Sequence, residues 1–101
     1  MNSSPYFFTY NYTASDTSFH VLPEITGISE GAYVTLINRI DNPSNIQIAY
    51  KSATTNSESK PITLVPGASL RLRVKHVHEI DVKLIHATDV LEYVVERDSL
   101  S

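Results

Sequence analysis

Between Leu70 and Leu84 the chain obeys a two-residue rhythm. Leu70, Leu72, Val74, Ile80, Val82 and Leu84 share one parity, while Arg71, Arg73, Lys75, Glu79, Asp81 and Lys83 occupy the other. Side chains repeat every two residues in a strand and every 3.6 in a helix, so this segment is written for extended chain with one buried face. If it reverses about Val77, Lys75 faces Glu79, Arg73 faces Asp81, and Val74, Leu72 and Leu70 face Ile80, Val82 and Leu84. Cross-strand pairs of this kind contribute about 0.2 to 1 kcal/mol each, enough together to select that register over a one-residue slip. His76-Val77-His78 lacks the Gly, Asn or Pro of a tight turn, which leaves a wider bend or a crossing into a second sheet as the alternative.

The rest of the chain reads the same way. Val, Ile and Thr outnumber Ala, Leu and Met by 27 to 15, a balance that favours pleated strands over helices. Tyr6 to Tyr12, Phe19 to Leu22, Tyr33 to Ile40, Ile46 to Tyr50, Ile62 to Leu64 and Val90 to Arg97 complete the strand candidates. Tyr33 to Ile40 is apolar on both parities and should lie centrally in its sheet. Asp41-Asn42-Pro43-Ser44 suits a type I turn closing a hairpin onto Ile46 to Tyr50. Residues 52 to 60, rich in Ser and Thr, read as an exposed loop. Pro66-Gly67 has type II turn chemistry, which splays paired strands and so suits a passage between two sheets. A helix over Val90 to Arg97 would group Val90, Leu91, Val94 and Val95, but the β-branched and aromatic content favours a strand. The expectation is one all-β domain over residues 1–101, an antiparallel β-sandwich or jelly-roll-like barrel of about eight short strands. Residues 1–18 form either its first strand or an aromatic N-terminal arm.

Several function classes fall away. The formal charge of −3 argues against general nucleic-acid binding. The absence of cysteine removes disulfides, thiolate metal sites and a cysteine nucleophile. No apolar run approaches the length of a membrane-spanning helix, and Thr9 and Asn11 interrupt the early apolar residues, unlike a signal-peptide core. Gly27, Gly31 and Gly67 make no phosphate-binding loop, and Ser69 lacks the surroundings of a nucleophile elbow.

What remains is a short set of candidates. His76 and His78, with Glu79 beside them and His86 further on, are the only cluster that could ligate a metal, although two polar residues at a bend explain them more simply. Glu79 and Asp81 could share acid-base work, but cationic partners across the strands account for them equally. Arg71, Arg73 and Lys75 form a basic stripe suited to a solvated or protein-contacting face. Tyr6, Phe7, Phe8, Tyr10 and Tyr12 concentrate five of the nine aromatics, and such a segment either opens its own sandwich or completes a neighbour's sheet. These eight aromatic and basic residues are the candidate interface; no catalytic, cofactor-binding or metal residue is assigned.

Gly31-Ala-Tyr-Val-Thr-Leu-Ile-Asn-Arg-Ile-Asp-Asn-Pro-Ser-Asn-Ile-Gln-Ile and Ile62-Thr-Leu-Val-Pro-Gly-Ala-Ser-Leu-Arg-Leu resemble small β-sandwich structural modules of bacteriophage virions, such as capsid decoration, head-fibre and tail proteins. The resemblance implies a non-enzymatic accessory protein of the virion, made in the host cytoplasm. It would bind the major capsid or other virion proteins through strand edges and loops, and a homo-oligomer such as a trimer would fit that role. It implies no cofactor, nucleic acid or membrane. Two other classes stand beside it. One is a carbohydrate- or receptor-binding module using Tyr33, Tyr50 or the 52–60 loop; the other is a small metal-dependent β-barrel enzyme built on His76 and His78.

Overall fold

The computed structural model describes residues 7–14, 16–23, 31–51, 58–86 and 88–97. Eight strands follow one another: β1 (Phe7–Tyr12), β2 (His20–Val21), β3 (Ala32–Asn38), β4 (Ile46–Tyr50), β5 (Ile62–Leu64), β6 (Ser69–Val74), β7 (Ile80–Lys83) and β8 (Leu91–Arg97). A 3-10 turn, Val77–Glu79, joins β6 to β7. The strands form two antiparallel four-stranded sheets, in the orders β1-β8-β3-β6 and β2-β7-β4-β5. Among the described residues only β4 and β5 are consecutive strands of one sheet; every other connection crosses between sheets. This is the two-Greek-key order of a jelly roll.

The alternation in the sequence decides which side of each strand is inside. β3 shows it fully, with Ala32, Val34, Leu36 and Asn38 buried and Tyr33, Thr35 and Ile37 half-buried on the outer face. β3 lies between β8 and β6, as its two-sided apolar character requires. Val34, Leu36, Tyr93 and Val95 of the first sheet meet Ile46, Ile48, Ile80 and Val82 of the second in one core. β8 is a strand throughout, with Leu91, Tyr93 and Val95 facing inward.

Two pairings expected from the sequence are corrected. β6 and β7 are not a hairpin: β6 pairs with β3, whereas β7 pairs with β2 and β4 in the other sheet. The 3-10 turn at Val77–Glu79 makes the crossing, because no residue there adopts the positive φ of a tight two-residue loop. Arg73 therefore stands opposite Tyr33, not Asp81, and the proposed charge pairs do not form. β3 and β4 likewise lie in different sheets, so Asp41-Asn42-Pro43-Ser44 arches between sheets instead of closing a hairpin. Pro66-Gly67 does carry the chain from one sheet to the other, with Gly67 at φ 89°.

The pairing directions sort the connections into two ends. β1–β2, β3–β4, β5–β6 and β7–β8 turn at the end where β3 finishes at Asn38. β4–β5 and β6–β7 turn at the opposite end, beside Glu79.

Candidate functional site

The Asn38 end is tied by amide side chains. Asn38 completes the inward row of β3 and is fully buried. Its Nδ2 donates to the carbonyls of Ser44 (3.1 Å) and Leu64 (2.8 Å), and its Oδ1 accepts from Asn42 Nδ2 at 2.7 Å. Its backbone exchanges bonds with Ala68 and Gly67. Asn42 continues the network, donating to the Val90 carbonyl at 2.8 Å and accepting from the Val90 amide at 3.3 Å. Three inter-sheet connections are thus locked together, and Ile40 lies over Gly67 with 84% of its surface exposed.

At the opposite end Glu79 has turned inward. Its Oε1 accepts from the amides of Lys75 and His76, both at 3.1 Å, and its Oε2 accepts from the Tyr50 hydroxyl at 3.1 Å. It fixes the β6–β7 crossing, which explains why it is buried and does not form a surface pair with Lys75. His76 and His78 stack with ring centroids 5.1 Å apart. His86 lies on the β7–β8 connection at the other end, so the fold separates it from that pair. Among the described residues, no three His, Asp or Glu side chains are grouped to hold a metal ion.

The basic stripe is partly absorbed within its own sheet. Arg71 lies over the Tyr33 ring, 4.2 Å from its centroid, and its Nη2 is 3.2 Å from Glu96 Oε1 across β3. The guanidinium thus occupies one face of the Tyr33 ring. Arg73 and Lys75 are exposed. Tyr50 is 42% exposed with its hydroxyl committed to Glu79, and residues 52–57 of the expected binding loop lie outside the described residues.

The aromatic segment forms β1, paired along its length with β8. Tyr10 and Tyr12 are half-buried against the core, and Tyr10 stacks on Tyr93 with centroids 5.4 Å apart. Burial, then the proximity of Tyr10 and Tyr12, pushes the Tyr93 hydroxyl's pKa up. Phe8 is 36% exposed, and Tyr6 lies outside the described residues. β1 is the outer strand of its sheet, and among the described residues no strand pairs on its far side.

The four sheet edges differ in how they discourage further pairing. β2 has two residues and is soon followed by Pro23; β5 has three, between Pro61 and Pro66; β6 carries Arg71 and Arg73. Shortness, proline and cationic side chains are the usual means of blunting an edge. β1, Phe-Phe-Thr-Tyr-Asn-Tyr, has six residues with neither charge nor proline among them, although Pro5 stands two positions before Phe7 in the sequence. The alternation of the sequence placed these strands but did not reveal Asn38, Asn42 or Glu79 as structural ties. The one available signal was an amide in the inward row Val34, Leu36, Asn38.

No protein-family model matches the chain, and no curated protein sequence matches it. Among solved structures it is similar to a protein of the Bacillus endospore appendages, described as a novel family of disulfide-linked pili. The TM-score is 0.63 at 12% identity, over 88% of this chain and 80% of that one. At that identity the likeness is one of fold.

Proposed function

We propose that the chain is a non-enzymatic structural subunit that assembles with further copies of itself into an extracellular polymer, with β1 as the principal joining edge. The observation that carries this reading is the contrast among the four edges: three are blunted, and the fourth is long, uncharged and aromatic. An open edge adds a strand through backbone hydrogen bonds, with side chains selecting the register. β1 and β6 border the same sheet and run antiparallel to each other, so a copy displaced along the sheet offers β6 to β1 in the pairing sense the sheet already uses. A head-to-tail contact whose rotation does not close builds a filament. The Arg residues of β6 oppose pairing of β6 with itself but meet no charge on β1.

The pilus protein of similar fold supports an appendage role, with one chemical difference. These 101 residues contain no cysteine, so the contact proposed between them is non-covalent and not a disulfide. An accessory role in a virion, bound to other virion proteins, is the alternative within the same non-enzymatic structural class, supported by the sequence resemblance and by the occurrence of jelly rolls in viral capsids.

The test uses light scattering and electron microscopy on the purified chain. Wild type should form filaments that come apart in detergent without reductant. The double variant Thr9→Lys, Asn11→Lys, which charges two exposed positions of β1, should remain folded and monomeric. Assembly of that variant at the wild-type concentration would contradict the role of β1.

A further inference from the structure

The outer face of the second sheet carries a carboxyl group where solvent is expected. Ile80 and Val82 face the core, so Asp81 between them points outward, yet it is only 3% exposed. Its strand neighbours are Val21 on β2 and Ala49 on β4, neither able to bond it through a side chain. Beyond Tyr50 the chain continues to Lys51, which forms an antiparallel rung with Glu58. Residues directly opposite share a face, so Lys51 and Glu58 lie on the same face as Ala49 and Asp81. Ala49 presents only a methyl group, so Glu58 and Asp81 flank it on one face, close enough for Glu58 to act on the Asp81 carboxyl.

Two carboxyl groups can bond each other only while one keeps its proton. We propose that Asp81 and Glu58 share one proton across Ala49, and that this proton ties the chain at Glu58 to the outer face of β7 in mildly acid solution and releases it at neutral pH. The protonated Asp81 hydroxyl donates to the Glu58 carboxylate. When the proton passes to solvent, two carboxylates face each other and the contact becomes repulsive.

The surroundings set the pH at which this happens. Burial, then the hydrogen bond to Glu58 and its charge, pushes Asp81 up to about 6; Lys51 and His20 act in the opposite sense. His20 is itself paired with Asp16, Nε2 to Oδ1 at 2.7 Å. Lys83 lies two residues along the same face with its ammonium 5.9 Å from the Phe19 ring centroid, while Glu79 is turned to the Lys75 and His76 amides. Since Asp81 holds its proton more tightly in the folded chain, the stability it supplies is complete below the ordinary carboxylate range. That stability is lost as pH rises through about 6. Asp16 has the opposite sign: the Ser18 hydroxyl and amide and His20 hold it well below the usual range, so its contribution is lost only as pH falls. Asp16 stays ionised between pH 5 and 7.5, so its own carboxyl does not titrate in the window where Asp81 does.

The test is carboxyl-carbon NMR titration together with amide exchange at Ser59. The Ser59 amide donates to the Tyr50 carbonyl at 2.8 Å and so reports the rung next to Glu58. In wild type, Asp81 should titrate near pH 6, and Ser59 protection, corrected for intrinsic exchange, should fall roughly tenfold or more between pH 5 and 7.5. Glu58→Gln supplies an N–H donor to the ionised Asp81. It should lower the Asp81 midpoint and make Ser59 protection independent of pH. Glu58 is exposed, so this variant should fold. Wild-type titration of Asp81 in the ordinary carboxylate range, pH-independent Ser59 protection in wild type, or an unchanged pH dependence in Glu58→Gln would each overturn the proposal.

Discussion

Asn38 is the clearest case of one side chain deciding local architecture. A Leu there would extend the apolar row of Val34 and Leu36, but it would leave the Ser44 and Leu64 carbonyls without their amide donors inside the protein. An unpaired buried polar group costs about 1 to 3 kcal/mol. Asn38→Ala should therefore destabilise the chain by about 2 to 4 kcal/mol, measured by urea unfolding, and should loosen the Asn42 to Val90 contacts it supports. A loss under about 0.5 kcal/mol would mean that water replaces the network without penalty. The sequence made the inward position of Asn38 legible, but not its partners. The two carbonyls lie 6 and 26 residues away and Asn42 lies 4 away, and strand alternation reports none of them. The parity of Glu79 and Asp81 set them both opposite the core. Asp81 is instead buried between β2 and β4, and Glu79 is held by the nearby Lys75 and His76 amides together with the Tyr50 hydroxyl.

At the scale of elements, the strands were readable and much of their pairing was not. Alternation is a property within a strand: it says which side faces inward but not which sheet the strand joins. A hairpin between β6 and β7 and the observed crossing bury the same residues, Leu70, Leu72 and Val74 on one side and Ile80, Val82 and Leu84 on the other. The discriminating cue was turn chemistry. Pro66-Gly67 was read correctly as a passage between sheets because its type II geometry splays strands, and His76-Val77-His78 carried the same message by lacking tight-turn residues. Gly67 itself is testable. A Cβ there would sit 3.6 Å from Ile40, an ordinary contact, so the cost of Gly67→Ala comes from its φ of 89° and not from crowding. The variant should lose about 1 to 2 kcal/mol in thermal or urea unfolding. No loss would show that this turn readily adopts another geometry.

For the whole molecule, the jelly roll has four edges, and their chemistry is unequal. Crossing connections leave β1 and β6 at opposite borders of one sheet, with the charges on β6 and none on β1. That asymmetry supports a directional, self-propagating contact more than a closed dimer, and it follows from topology that no single segment could display. The aromatic character of β1 was plain in the sequence; its place as the unblunted edge emerged only once the strand order was known. Amide exchange compared between assembled and dissociated protein tests this most directly. The account predicts that outward-facing β1 amides within Phe7–Tyr12 gain protection comparable to β8 on assembly and lose it on dissociation. Unchanged β1 exchange, with new protection confined to the Asn38-end connections, would contradict it.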